Sequence, residues 1–186
     1  MAMRHYLRGE RIDVQAVAAD SGVGRTTIYR WFGSREGLIG EVLARAAEPL
    51  LEQAHARTRA RGGRGLLDTF DRFNRSLAGA RALRTFVEAE RETAMRIIAS
   101  GSGVVQPRIV ARIAELIEAE AAAGRYEPPV EPAILAYAIV KLAEAFLLGD
   151  ADGGMRDDID RLRSVEAALL GVPAARGTGE RLDLAP

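Results

Sequence analysis

The chain has 186 residues, enough for one or two small domains that each bury a core. Apolar residues make up 48 %, an ordinary globular share, and the lack of cysteine excludes disulfides, thiolate chemistry and cysteine-based metal sites. Basic and acidic side chains number 26 each, but their placement says more than their sum. Up to residue 35, Arg4, Arg8, Arg11, Arg25, Arg30 and Arg35 stand against Glu10, Asp13 and Asp20, so a head of net +3 precedes a body of net −3. The longest apolar run, 133–148, carries Lys141 and Glu144, so nothing reaches the roughly 18 uncharged residues of a membrane span. The start has no apolar export segment, and a soluble, cytoplasmic chain with no membrane partner is expected.

In chain order, nearly everything reads as helix. Ala, Leu, Arg and Glu dominate, and no segment alternates with period two. Gly9 closes a first short helix, and Asp13 caps a second in which Val14, Val17 and Ala18 share a face. Ser21-Gly22-Val23 makes a turn, and a third helix runs from Arg25 to Trp31. Gly33-Ser34 then separates it from a long fourth helix, with Ser34 as cap and Glu36 in the first turn. Pro49 interrupts the fourth helix's apolar stripe, so a kink or break is expected near Glu48. Arg61-Gly62-Gly63-Arg64 reads as a loop. Helices over 66–77, 83–99, 105–123, 132–148 and 155–170 follow, separated by Gly-rich or Pro-rich stretches such as 149–154. The tail beyond Gly171 lacks periodicity and reads as mobile. The expectation is an all-α chain of about nine helices, with a three-helix head at 1–46, a body at 47–171 and a flexible tail at 172–186.

The chemistry-bearing stretch is 13–35. Ala18 is small enough for two helices to approach closely, and Gly22 suits a turn that a side chain would resist. Val23 and Ile28 seat the third helix on the second. This leaves Arg25, Thr26, Thr27, Tyr29 and Arg30 facing outward, donors of the kind that reach phosphates and base edges in a major groove. Spacing alone is equally compatible with a plain helical hairpin.

The cluster Thr26-Thr27-Ile28-Tyr29-Arg30-Trp31-Phe32, followed by Gly33-Ser34-Arg35-Glu36, resembles the recognition helix and connecting helix of the TetR family of transcriptional regulators. The resemblance covers 13–43. It implies a helix-turn-helix head, a body that dimerises and binds a small effector, and a double-stranded DNA operator as partner. Carried over position by position, it implies that Arg25, Thr26 and Thr27 face bases. Tyr29, Arg30 and Arg35 would hold phosphates or adjacent bases, and Gln15 would touch the DNA backbone. Trp31 stands where another aromatic is usual and could serve as core, phosphate contact or both. The family's first helix is longer than the few residues before Gly9 allow. Either the start is truncated or the first helix is short, and a less stable head is expected.

Leu83-Arg84-Thr85-Phe86-Val87-Glu88-Ala89-Glu90, Gly103-Val104-Val105-Gln106 and 136–144 are similar to one subgroup, the QsdR-like repressors. That similarity implies a small apolar effector of acyl or lactone type. Phe70, Phe73, Phe86, Met95, Ile98, Ile113 and Tyr137 are the candidate pocket walls, although each taken singly is better explained as core. The last two long helices carry more apolar positions than one seam needs: Ile134, Leu135, Ala138, Ile139, Leu142, Phe146, Leu162, Val165 and Leu169. A homodimer interface is expected there. Lys141 and Glu144 read as an i, i+3 pair near that seam. Pro49 is expected to act as a hinge, with the effector touching Gln53 or Arg57 beyond it.

His5 and His55 have no second ligand at metal spacing, so neither a metal nor a cofactor is expected. Gly62-Gly63-Arg64-Gly65 lacks the lysine and hydroxyl of a phosphate loop, and no nucleophile motif is present, so an enzyme is not expected. An architectural or recruitment protein without effector is the remaining alternative, distinguished by a filled core in place of a cavity. A repressor is the family's usual case.

Overall fold

The computed structural model describes residues 1–148 and 158–174, and within them every regular element is a helix. The expected separator at 149–154, the start of the last helix at 155–157 and the tail beyond 174 lie outside the described residues. The helices are α1 (Ala2–Leu7), α2 (Val14–Ser21), α3 (Arg25–Phe32), α4 (Arg35–Ala56), α5 (Gly62–Gly79), α6 (Arg81–Ala89), α7 (Arg91–Ile98), α8 (Val105–Ala122), α9 (Pro132–Leu148) and α10 (Ile159–Leu169). None of them is long and apolar enough to cross a membrane.

The head forms where local chemistry demands it. Asp13 accepts hydrogen bonds from the backbone N–H groups of Gln15 at 2.8 Å and Ala16 at 3.0 Å, which satisfies two orphan donors of α2. Gly22 ends α2 in the left-handed region at φ 65°, and Val23 N–H returns to the Ala18 carbonyl at 3.1 Å. Ser34 accepts from Gly37 N–H at 3.0 Å and opens α4. A Cβ on Gly37 would stand 2.0 Å from the Phe32 carbonyl oxygen, so only glycine lets α4 leave α3 at this angle.

The long helices bear on two expectations. α4 runs unbroken through Pro49. Pro49 and Arg45 both lie on the exposed side, so the carbonyl that loses its partner can turn to water. Residues 83–99 form two helices instead of one, which brings the number among the described residues to ten. No Gly or Pro divides them. The break sits at Glu90, at φ −137° and ψ 52°, where the carboxylate is drawn to Arg35 from across the molecule. The stretch read as a loop at 61–64 is the start of α5, and Gly62 N–H donates to the buried Glu120 carboxylate at 2.6 Å.

Apolar burial organises the chain into two main clusters. Leu51, Leu66, Leu67, Phe70, Ile109, Ile113, Ile117, Leu135, Ile139 and Leu170 centre the body, where α8 and α9 pack along each other and α5 lies against α4 and α10. Tyr6, Ile12, Val17, Ile28, Leu38, Ile39 and Leu43 centre the head, but this cluster also takes in Ile97 and Val105 from the body. Head and body therefore share packing, which a covalent link through α4 alone would not provide.

Candidate nucleic-acid interface and effector cavity

α3 is held to the head by one fully buried residue, Ile28, with Val23 and Phe32 packed beside it. Its other face is open. Arg25, Thr26, Tyr29, Arg30 and Trp31 are exposed, and Thr27 is half-buried. Tyr29 at 47 % and Trp31 at 58 % exposure are large rings left in water, with Trp31 set edge-on to Phe32 at 6.4 Å between centroids. Arg25 and Arg30 form no ion pair among the described residues, so their donors are uncommitted. Gln15 is exposed in the first turn of α2. The structure thus brings Gln15 and the α3 residues into one region of the head.

Arg35 is different. Its Nε donates to the Ile12 carbonyl at 2.8 Å, and its two terminal nitrogens donate to the two Glu90 oxygens at 2.7 Å each. This bidentate pair is partly shielded, and the Arg35 guanidinium holds the Glu90 carboxyl below its usual range. Arg35 thereby ties the start of α4 to the α6–α7 junction. A free phosphate donor would not be committed in this way. Arg96 with Glu36 at 2.6 Å and Arg108 with Glu41 at 2.9 Å add further ties between α4 and the body. His5, which looked isolated in sequence, lies between Glu10 at 2.7 Å and Asp20 at 3.0 Å and pins α1 to α2.

In the body a cavity of about 360 Å³ opens between α4, α5, α8, α9 and α10, and reaches Tyr6 and Leu7 of α1. Of the seven residues expected to line it, Phe70, Phe73, Ile98 and Ile113 do so. Phe86, Met95 and Tyr137 do not. Phe86 is packed between the head cluster and Val87, Ala94 and Leu148, while Met95 and Tyr137 point to solvent at 39 % and 50 % exposure. Gln53 and Arg57, where effector contact was expected, are both exposed and outside the wall. The cavity meets α4 at Leu43, Ala46, Ala47 and Leu50 instead, on the turns nearer the head.

Sequence reasoning missed the polar wall. Asn74, Gln106, Glu144 and Glu166 all line the cavity. Glu144 does pair with Lys141 at 3.0 Å as expected, and it also accepts from Gln106 Nε2 at 2.8 Å, so the Glu144 end of the pair belongs to the cavity wall. Glu166 is fully buried, and burial pushes its carboxyl up to about 8. A signal was present. Leu162, Glu166 and Leu170 recur at intervals of four, so Glu166 interrupts a buried stripe and sits on its inward face.

The apolar surplus on the last two helices also resolves. Leu135, Ile139, Phe146 and Leu162 are core of the single chain, whereas Ile134 at 57 % and Val165 at 39 % remain exposed, together with Tyr137.

A search of curated protein sequences finds no significant match. The profile of the tetracyclin repressor-like C-terminal domain matches residues 61–171, more than half of the chain. Among solved structures, the R. erythropolis transcriptional repressor QsdR, a TetR-family protein, superposes with a TM-score of 0.86 at 29 % identity. That likeness covers 96 % of this chain and 94 % of the other. An all-helical fold of this kind, a profile match over most of the body and a likeness that also spans the head lead to one conclusion: the chain belongs to the TetR family of transcriptional regulators.

Proposed function

We propose that the protein is a homodimeric repressor that grips a palindromic operator with α2 and α3 of each head. A small apolar effector entering the body cavity would release it. The observation that carries this reading is the open face of α3, where Arg25 and Arg30 are uncommitted and Tyr29 and Trp31 stand in water. Leaving such rings exposed is unfavourable unless a partner covers them, and donors on a helix seated by its opposite face suit a major groove. Arg25, Thr26 and Thr27 would read bases, Tyr29, Arg30 and Trp31 would meet phosphates or adjacent bases, and Gln15 would touch the DNA backbone. Arg35 would position α3 through Glu90 without itself contacting DNA.

The dimer rests on Ile134, Tyr137 and Val165, the exposed apolar residues of α9 and α10. The effector reading rests on the cavity, because a recruitment protein with no ligand would fill that space with side chains. The effector would touch Phe70, Phe73, Ile98 and Ile113.

To test it, the purified protein is mixed with fragments of its own genome and the retained DNA is sequenced. Recovery of a two-fold symmetric motif with half-sites about one helical turn or a multiple apart is the expected result. Unselective recovery would defeat the operator reading. Val165→Glu should give monomers in light scattering that no longer protect that motif, and a variant that stayed dimeric would place the seam elsewhere.

A further inference from the structure

The cavity wall contains an unexplained group. Glu166 Oε1 accepts from Asn74 Nδ2 at 2.8 Å, and both residues line the cavity. Glu166 Oε2 has no partner, and among the described residues it is the one buried side-chain polar atom left so. An unmet polar atom in an apolar wall is costly to the empty protein. The other carboxylate of the wall, Glu144, is fully engaged by Lys141 and Gln106.

We propose that Glu166, oriented by Asn74, is the polar anchor of the cavity and selects an uncharged ligand with an apolar body and a carbonyl-type oxygen. The proposal rests on the reading of the cavity as the effector site. The chemistry follows from proton placement. Asn74 can only donate through Nδ2, so Oε1 must accept, and the proton of the neutral acid belongs on Oε2. There it is a donor in search of an acceptor. Burial keeps the acid neutral up to about pH 8. Asp71 on α5 pushes the same way and Arg163 on α10 opposes, although Arg163 is itself committed to Asp68 at 2.6 Å. From α9 the charged groups are Lys141 and Glu144, paired with each other. Among the described residues Arg81, exposed at the start of α6, is the one cation lining the cavity, and it is not among the charges acting on Glu166. A carboxylate ligand beside Glu166 would therefore find no free cation, whereas a neutral oxygen acceptor would meet the spare proton.

The test uses the full chain and displacement of Nile red from the cavity by methyl octanoate, sodium octanoate or n-octylamine, at pH 6.5 and 9.5. Wild type should take methyl octanoate best at pH 6.5 and lose about tenfold by pH 9.5, as the Oε2 proton leaves. Glu166→Gln places an amide donor where that proton was. It should stay within about threefold of wild type at pH 6.5 and show no pH dependence. Glu166→Leu should lose about tenfold for the ester at pH 6.5 while keeping Nile red and the native circular dichroism spectrum. Equal ester affinity in wild type and Glu166→Leu would overturn the anchor, and so would octylamine as the tightest probe, because that requires an ionised Glu166. Failure of wild type to take up Nile red at all would instead remove the effector cavity on which the proposal stands.

Discussion

Head and body are made of the same helices, yet they record their roles differently. In the head, caps, turn and exposed donors lie within some twenty consecutive residues, from Asp13 to Arg35, and each feature is settled by neighbours in sequence. In the body, the cavity wall draws on residues from α1 to α10, and its key hydrogen bond joins Asn74 to Glu166 across 92 positions. A surface that reads DNA can be assembled on one helix. A cavity is defined by what several helices fail to fill, which no single segment can announce. The two regions are also coupled, because Arg35–Glu90 and the shared packing of Ile97 and Val105 join them beyond the α4 connection.

The largest loss is expected at the joint between α3 and α4. Gly37→Ala would drive a Cβ to 2.0 Å from the Phe32 carbonyl oxygen, and backbone cannot yield as a side-chain tip can. A loss of about 4 kcal/mol or more is expected. Because the head cluster includes body residues, urea unfolding of the variant should remain one transition at a lower midpoint. Two separated transitions would show that the head stands alone.

The body should show its own signature against pH. The Glu166 carboxyl is raised from an ordinary 4.5 to about 8 in the folded protein. Between these values the folded state holds a proton that the unfolded chain has lost, so stability falls as pH rises through that window. Glu166→Gln removes the titration. The variant should gain a few kcal/mol over wild type at pH 8 and above, and the gain should vanish below about pH 4.5. A constant difference at every pH would show that Glu166 is not protonated in the native state.

Arg35 tests whether the two regions communicate through a side-chain tie. Arg35→Ala leaves the Glu90 carboxylate with only the more distant Arg11 at 3.8 Å, and leaves the Ile12 carbonyl without its Nε donor. A cost of about 1–3 kcal/mol follows from these two losses. The pair lowers the Glu90 carboxyl, so its contribution in wild type is present above the ordinary carboxylate range and fades as pH falls through the folded value. The variant should lack that acid-side decline. In DNA binding, a positioning role predicts weaker affinity with an unchanged salt slope, whereas a phosphate contact would flatten the slope by about one unit.

How much was legible follows the same division. Asp13 and Ser34 as caps, Gly22 as turn and the α3 face were readable because the partners lie two to five residues away. The α6–α7 break was not, since it falls in a good helix-forming run at Glu90, whose side-chain partner Arg35 lies 55 positions away. Phe70, Phe73 and Ile113 were found because aromatic and branched residues at helical spacing serve core and cavity alike. Met95 and Tyr137 were misplaced for that same reason, as apolar character does not say which side of a helix is covered. Glu166 was readable in principle from the stripe 162–166–170, where a charge takes an inward position.

The smallest expected effect belongs to the single arginines of α3, and it separates two roles on one surface. Each neutralised phosphate releases condensed counterions, so each contact contributes about −0.9 to the slope of log K against log salt, whatever the sequence. Arg30 sits late in α3, exposed and unpaired among the described residues, and in the proposed docking it would meet the strand backbone. Arg30→Ala should therefore flatten the slope by about one unit and weaken operator and random DNA alike, with no change in the preferred motif. Arg25 opens the helix, the end whose side chains would reach the groove floor in the proposed docking. Arg25→Ala should cost about 1–3 kcal/mol on the operator and relax selection at one base position per half-site, with less effect on random DNA. Neither residue has an ion pair to lose among the described residues, so both variants should melt with wild type and any change in binding reports on DNA alone. Identical losses on operator and random DNA for both variants would assign the whole α3 face to the backbone and leave sequence reading to another part of the head.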